Sequence, residues 1–155
     1  MNKTLFKTTT LLALPALLAL VGCGKNLTGN YGSTISLSTL TPSCTSNSVT
    51  TNIMINANSA MVTGSWSSSC MNATFNGTDN GQGTITNVIA TVTPVTTSTY
   101  GNSGYGYGYN SNCVYNGSLN LINKVLSGTL TLQQSAITYS STCSNSLTFN
   151  GTQTN

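Results

Sequence analysis

The chain has 155 residues and only five formal charges, four lysines and one aspartate, with no histidine, arginine or glutamate. General acid–base chemistry needs groups that titrate near neutral pH, and a nucleophilic hydroxyl needs a base beside it, so neither a hydrolytic triad nor a carboxylate pair can be assembled. Zinc and copper sites draw on His or thiolate and calcium sites on several carboxylates, so no metal, no cofactor and no enzymatic activity is expected.

The first 23 residues form a unit of their own. Lys3 and Lys7 make a basic start, and the apolar stretch 11–20 is too short to span a bilayer with ease. Leu20-Val21-Gly22-Cys23 follows. This run resembles the signal peptide and lipobox of bacterial lipoproteins. The resemblance implies a signal helix over 1–22, diacylglycerol transfer to the Cys23 sulfur, cleavage after Gly22 and palmitate-type acylation of the new amino terminus. It implies lipidation at Cys23, a short tether over 23–26 and a membrane partner reached through that lipid. Gly24 stands where an inner-membrane retention aspartate would sit in enterobacteria-like sorting, so the expected location is the bacterial envelope, at the outer membrane. Residues 23–155 would then carry Lys25, Asp79 and Lys124 as their only charges, too few for a nucleic-acid surface. The sole carboxylate, Asp79 in Thr78-Asp79-Asn80-Gly81, reads as a solvent-exposed turn residue.

From residue 27 onward the chain reads as one all-β domain over 27–155. Thr, Ser and Asn supply 69 of the 155 residues, which makes a wet and nearly neutral surface. Polar tracts of this kind are often disordered. Here, however, Val, Ile, Leu, Trp and Tyr recur with period two, as in half-buried strands. Alternation and turn residues predict strands over 27–38, 49–57, 60–67, 72–78, 83–93, 113–122, 125–133 and 145–152. The tightest hairpin has Asn123-Lys124 between two apolar runs, with Asn58-Ser59 and Asp79-Asn80-Gly81 as further turns.

In almost every predicted strand a glycine lies two positions from a large apolar residue. The pairs are Gly29/Tyr31, Gly64/Trp66, Phe75/Gly77, Gly83/Ile85, Tyr115/Gly117, Gly128/Leu130 and Phe149/Gly151. Glycine weakens a strand, so repeated placement calls for a geometric reason. Sharp coiling in a small closed barrel is one, with the neighbouring large side chain filling the interior. The expected fold is therefore an antiparallel up-and-down β-barrel of about eight strands, with a β-sandwich as the alternative. Tyr31, Trp66, Phe75, Tyr115 and Phe149 are the candidate interior residues, Trp66 as a plug rather than a ligand platform. Phe75-Asn76-Gly77-Thr78, Tyr115-Asn116-Gly117-Ser118 and Phe149-Asn150-Gly151-Thr152 share a weak repeat. Either one hairpin design is reused there, or the three Asn-Gly pairs are turns and the strand count breaks. Leu27-Thr28-Gly29-Asn30-Tyr31 and Val62-Thr63-Gly64-Ser65-Trp66 resemble the glycine-plus-aromatic opening strand of lipocalin-like and avidin-like barrels. No further motif aligns, so no ligand residue is carried over.

Four cysteines remain beyond Cys23: Cys44, Cys70, Cys113 and Cys143. An even set in an exported chain reads as two disulfides, with three connectivities open. An up-and-down barrel would bring all four to one rim, where Cys44–Cys70 and Cys113–Cys143 would each staple two loops flanking one hairpin. The irregular stretch 94–112 shares that rim and alternates Gly with Tyr. Tyr100, Tyr105, Tyr107 and Tyr109 are its candidate contact residues, because tyrosine buries area at modest entropy cost. The bland alternative is a low-complexity loop. Two functions are compatible with these features. One is a non-catalytic structural or surface-interaction lipoprotein that meets an envelope protein or polysaccharide through the tyrosines. The other is a lipocalin-like carrier with a small apolar ligand inside the barrel.

Overall fold

Alternation of apolar with hydroxyl or amide side chains dictates which face of each strand turns inward. A computed structural model describes residues 26–41, 43–95, 112–133 and 143–154. The expected signal helix, Cys23 and Tyr100, Tyr105, Tyr107 and Tyr109 lie outside these residues. Eight strands follow in order: β1 (Gly29–Leu37), β2 (Ser48–Asn58), β3 (Met61–Ser67), β4 (Met71–Asp79), β5 (Thr84–Pro94), β6 (Cys113–Ile122), β7 (Val125–Leu132) and β8 (Ser146–Thr154). Each pairs antiparallel with the next, and β8 returns to β1, so the sheet closes into an up-and-down barrel rather than a sandwich. The described residues contain no helix. In β2 the pattern is plain: Val49, Thr51, Ile53 and Ile55 are buried, and Thr50, Asn52, Met54 and Asn56 face water.

Asn76-Gly77, Asn116-Gly117 and Asn150-Gly151 lie inside β4, β6 and β8, so the three repeats are strand segments and not turns. The Asn123-Lys124 hairpin has both residues at positive φ, 53° and 66°, as a two-residue turn matched to the strand twist requires. The β2–β3 turn falls one residue later than the sequence predicts. Asn58 pairs with Met61 as the last rung, leaving Ser59-Ala60 as the loop. Asp79 likewise ends β4 and is half-buried rather than fully exposed, its Oδ1 accepting the Gly81 N–H at 2.9 Å. A bulge in β5, with Asn87 at φ 51°, breaks strict alternation so that Ile85 and Val88 both point inward.

The interior is filled. Tyr31, Trp66, Phe75, Tyr115 and Phe149 are all buried as expected, none more than 4% exposed. Trp66 sits between two rings, with Phe149 edge-on at 5.4 Å and Phe75 tilted at 6.2 Å between centroids. Cross-strand register explains the glycines better than spacing along one strand. Gly64 faces Phe75, Gly117 faces Leu130 and Gly128 faces Leu119, and a Cβ on each glycine would crowd that side chain, so a missing side chain on one strand admits a large one from its neighbour. A Cβ on Gly64 would overlap the Phe75 ring and lie 2.8 Å from the Met54 carbonyl oxygen. Gly83, just before β5, has φ +90°, and a Cβ there would lie 2.5 Å from the Leu121 carbonyl oxygen.

Overpacking of a tight core typically costs 1–3 kcal/mol. Gly64→Ala is expected to destabilise the barrel by about 2–3 kcal/mol in urea unfolding. In a Phe75→Ala background the same change should cost markedly less, because the ring that crowds the new methyl is gone. Equal costs in both backgrounds would refute the glycine–ring pairing.

Candidate functional site

In an up-and-down barrel the connections alternate between ends. The β1–β2, β3–β4, β5–β6 and β7–β8 connections share one end, and each has one cysteine in it or, for Cys113, at the first residue of the strand that follows. Cys44 bonds Cys70 and Cys113 bonds Cys143, with Cα atoms 5.0 and 5.8 Å apart, which is the expected pairing. All four cysteines are buried, so the bridges close this end rather than decorate it. Beneath them, a void of about 10 Å³ lined by Leu37, Met71, Val92, Tyr115 and Leu147 lies at the lower limit for one water.

A hydrogen-bonded latch completes the closure. Ser144 is 1% exposed and links the β7–β8 connection to the β1–β2 connection and to β6. Its Oγ donates to the Ser146 carbonyl oxygen at 2.9 Å, accepts the Thr39 N–H at 3.2 Å and lies 3.3 Å from the Ser38 Oγ. Its carbonyl oxygen accepts the Tyr115 hydroxyl at 2.9 Å. At the opposite end the Tyr31 hydroxyl donates to the Leu27 carbonyl oxygen at 3.0 Å, so one buried phenol ties down each end. Burial pushes the Tyr115 phenol up to about 12 and raises Tyr31 as well. Thr51 is buried inside β2 and satisfies its hydroxyl by donating to the Ser67 carbonyl oxygen at 2.7 Å. Among the described residues the Trp66 Nε1–H is buried without a partner, which fits a ring held by packing alone.

Val95 and Asn112, the described residues nearest the Tyr/Gly-rich stretch, lie at the disulfide-bearing end. Tyr100, Tyr105, Tyr107 and Tyr109 are outside the described residues, so the structure brings together the root of that candidate surface and not the surface itself. On the barrel wall, Met54 and Ile89 edge an open groove of about 450 Å³ floored by Gly64 and framed by Thr63, Thr74 and Thr91. At the opposite end, Asn26, Leu27, Tyr31, Leu121, Asn123, Lys124 and Gln153 line a depression of about 270 Å³. Sequence reading passed over the Ser38–Ser144 latch, since serines this frequent carry no signal. It also passed over the outward placement of Met61, Ile122 and Val125, which alternation in their strands does record. No protein-family model matches the chain, and neither the curated proteins nor the solved structures provide a match.

Two outcomes follow for this end. Bridges enclosing loops of this length, 26 and 30 residues apart, contribute about 3–4 kcal/mol each. Cys44→Ala/Cys70→Ala is therefore expected to lower the Tm by about 10 °C. The two phenols are neutral when folded, and an unfolded phenol ionises near pH 10. The Tyr115 contribution is therefore intact below pH 10 and is lost as pH rises through about 12, where Tyr115 ionises in the folded chain, and the raised Tyr31 acts in the same direction. Urea midpoints should fall between about pH 10 and about pH 12, and Tyr115→Phe should flatten that fall.

Proposed function

We propose that the protein is a lipid-anchored, non-catalytic envelope lipoprotein whose barrel presents the Tyr/Gly-rich stretch 94–112 as a contact surface. One observation carries this reading. The described chain begins at Asn26 at one end of the barrel, and β5 and β6, which flank the tyrosines, meet that stretch at the other end. An anchor at Cys23 would therefore hold one end at the bilayer and aim Tyr100, Tyr105, Tyr107 and Tyr109 away from it. The lipobox Leu20-Val21-Gly22-Cys23 supports the anchor, and Gly24 supports the outer membrane as its destination. The partner is an envelope protein or a polysaccharide, since tyrosine rings stack on sugars as well as on other side chains.

The filled interior favours this reading over a lipocalin-like carrier. A small-molecule site occupies roughly 300 Å³ or more. The void under the disulfides holds about 10 Å³, and aromatic rings occupy the middle of the barrel.

Native mass spectrometry of protein extracted gently from its own membranes tests the reading. The expected mass is that of residues 23–155 with acyl chains and two disulfides, unchanged by denaturation apart from charge state. A small molecule lost on denaturation would turn the account to the carrier. Replacing Tyr105, Tyr107 and Tyr109 together with serine should abolish crosslinks to the envelope partner while leaving the Tm unchanged. Undiminished crosslinking would refute the tyrosine contact.

A further inference from the structure

We propose that the end of the barrel opposite the disulfides is a membrane seat, resting on the headgroup layer of the leaflet that holds the Cys23 lipid. The proposal rests on the lipid anchor at Cys23 and adds what the barrel itself does at the bilayer.

The tether sets the distance. Only Gly24 and Lys25 separate Cys23 from Asn26, and three fully extended steps reach roughly 10 Å. Beyond Asn26 there is no slack. Leu27 is buried and its carbonyl oxygen accepts the Tyr31 hydroxyl, while the Thr28 hydroxyl accepts the Ala57 N–H at 3.0 Å. A lipid at Cys23 therefore draws the whole end of the barrel to within about a headgroup's depth of the acyl region.

The same end carries the side chains for it. Large exposed apolar residues among the described ones are Leu40, Met54, Met61, Ile89, Ile122 and Val125. Three of these, Met61, Ile122 and Val125, flank the two-residue turns Ser59-Ala60 and Asn123-Lys124 at the anchor end. β3 and the β6–β7 hairpin lie on opposite sides of the eight-strand ring. A protein partner needs a contiguous patch, whereas apolar residues on both sides of one end suit a plane across the barrel axis. A lipid surface is such a plane. Lys124 at the tip of its turn, with Lys25 in the tether, places cations at phosphate level. Asp79 is at this end too, with its carboxylate engaged by the Gly81 N–H, so cations still outnumber it. Amide and hydroxyl turn residues such as Asn80, Gln82 and Asn123 find hydrogen-bond partners in a headgroup layer that they would lack in hydrocarbon. Seated this way, the barrel stands upright with its disulfide end roughly 25 Å above the bilayer, from strands of about nine residues at the usual tilt.

Two methionines make the test. Met61 at the anchor end is 64% exposed and Met54 on the wall is 60% exposed, so one molecule carries both probe and reference. The full-length lipidated protein is placed in phosphatidylethanolamine–phosphatidylglycerol vesicles and treated with peroxymonosulfate, an anionic oxidant excluded from the bilayer. Peptide mass spectrometry then follows both sulfoxides. Met61 should oxidise at least fivefold more slowly than Met54. A Gly/Ser insertion of about 20 residues after Lys25, which keeps the lipid and lifts the barrel, should bring the two rates together. Equal rates in the lipidated wild-type protein overturn the seat and leave the anchor standing. Protection that survives the insertion also overturns it, since its cause would then lie within the barrel. A wild-type chain without lipid on Cys23 that stays off the vesicles overturns the anchor, and the seat with it.

Discussion

Closure of eight strands around a fixed interior is the constraint on which the rest of this structure depends. At this strand number the interior is just wide enough for side chains to fill. A large side chain can therefore need a gap on a neighbouring strand. Gly64 beneath Phe75 is such a gap and Gly128 beside Leu119 is another, and Trp66 packs against Phe75 and Phe149. Glycine costs a strand conformational entropy, and here the gain is admission of an aromatic ring that an Ala–Leu pair would not replace. The bulge at Asn87 serves the same end, since it returns Val88 to the interior after Ile85 and bends the strand around the ring.

The two ends of the barrel solve different problems. Three long connections and the three-residue β3–β4 link meet at one end, where loop entropy is greatest, and two disulfides with the Ser144 latch hold them. Short turns close the other end, and these need only the right backbone: Ser59, Asn123 and Lys124 at positive φ, with Gly83 packed against Leu121. Each end carries one buried phenol whose hydroxyl is bonded to a backbone carbonyl, which joins the core to the rim chemistry. The asymmetry gives the barrel a direction, which the proposed anchor at one end and contact surface at the other would require.

Much of this was legible in the residues. Period-two alternation located all eight strands to within a few positions, and counting ends along an up-and-down path brought all four cysteines to one rim, where the preferred of three pairings is the one formed. Spacing along a strand also marked Tyr31, Trp66, Phe75, Tyr115 and Phe149 as interior. Other features depend on geometry between strands and leave no local trace. Thr-Asn before Val88 reads as ordinary alternation, and only register against β4 and β6 reveals the bulge. The glycines were visible, but their partners lie across the sheet rather than two residues along. Ser144 is one of 21 serines, and nothing in its neighbours distinguishes a buried hub from a loop residue.

A chain with almost no charge cannot guard open sheet edges in the usual way, with lysines that repel a second copy. Closing the sheet removes the edges altogether, which makes closure a solubility device as well as a packing one. The outward face is then free to be neutral. One register row runs Thr50, Thr34, Asn150, Ser127, Asn120 and Thr84 across six strands, without a charge in it. Neighbouring hydroxyls and amides bond one another along such rows, as Thr84 Oγ1 does to Asn120 Oδ1 at 3.0 Å and Thr129 to Thr148 at 3.2 Å. Bonds of this kind are indifferent to ionic strength and to pH over the range in which carboxylates and amines titrate. A wall built this way attracts neither polyanions nor polycations, so on the proposed reading contacts would fall to the two ends of the barrel.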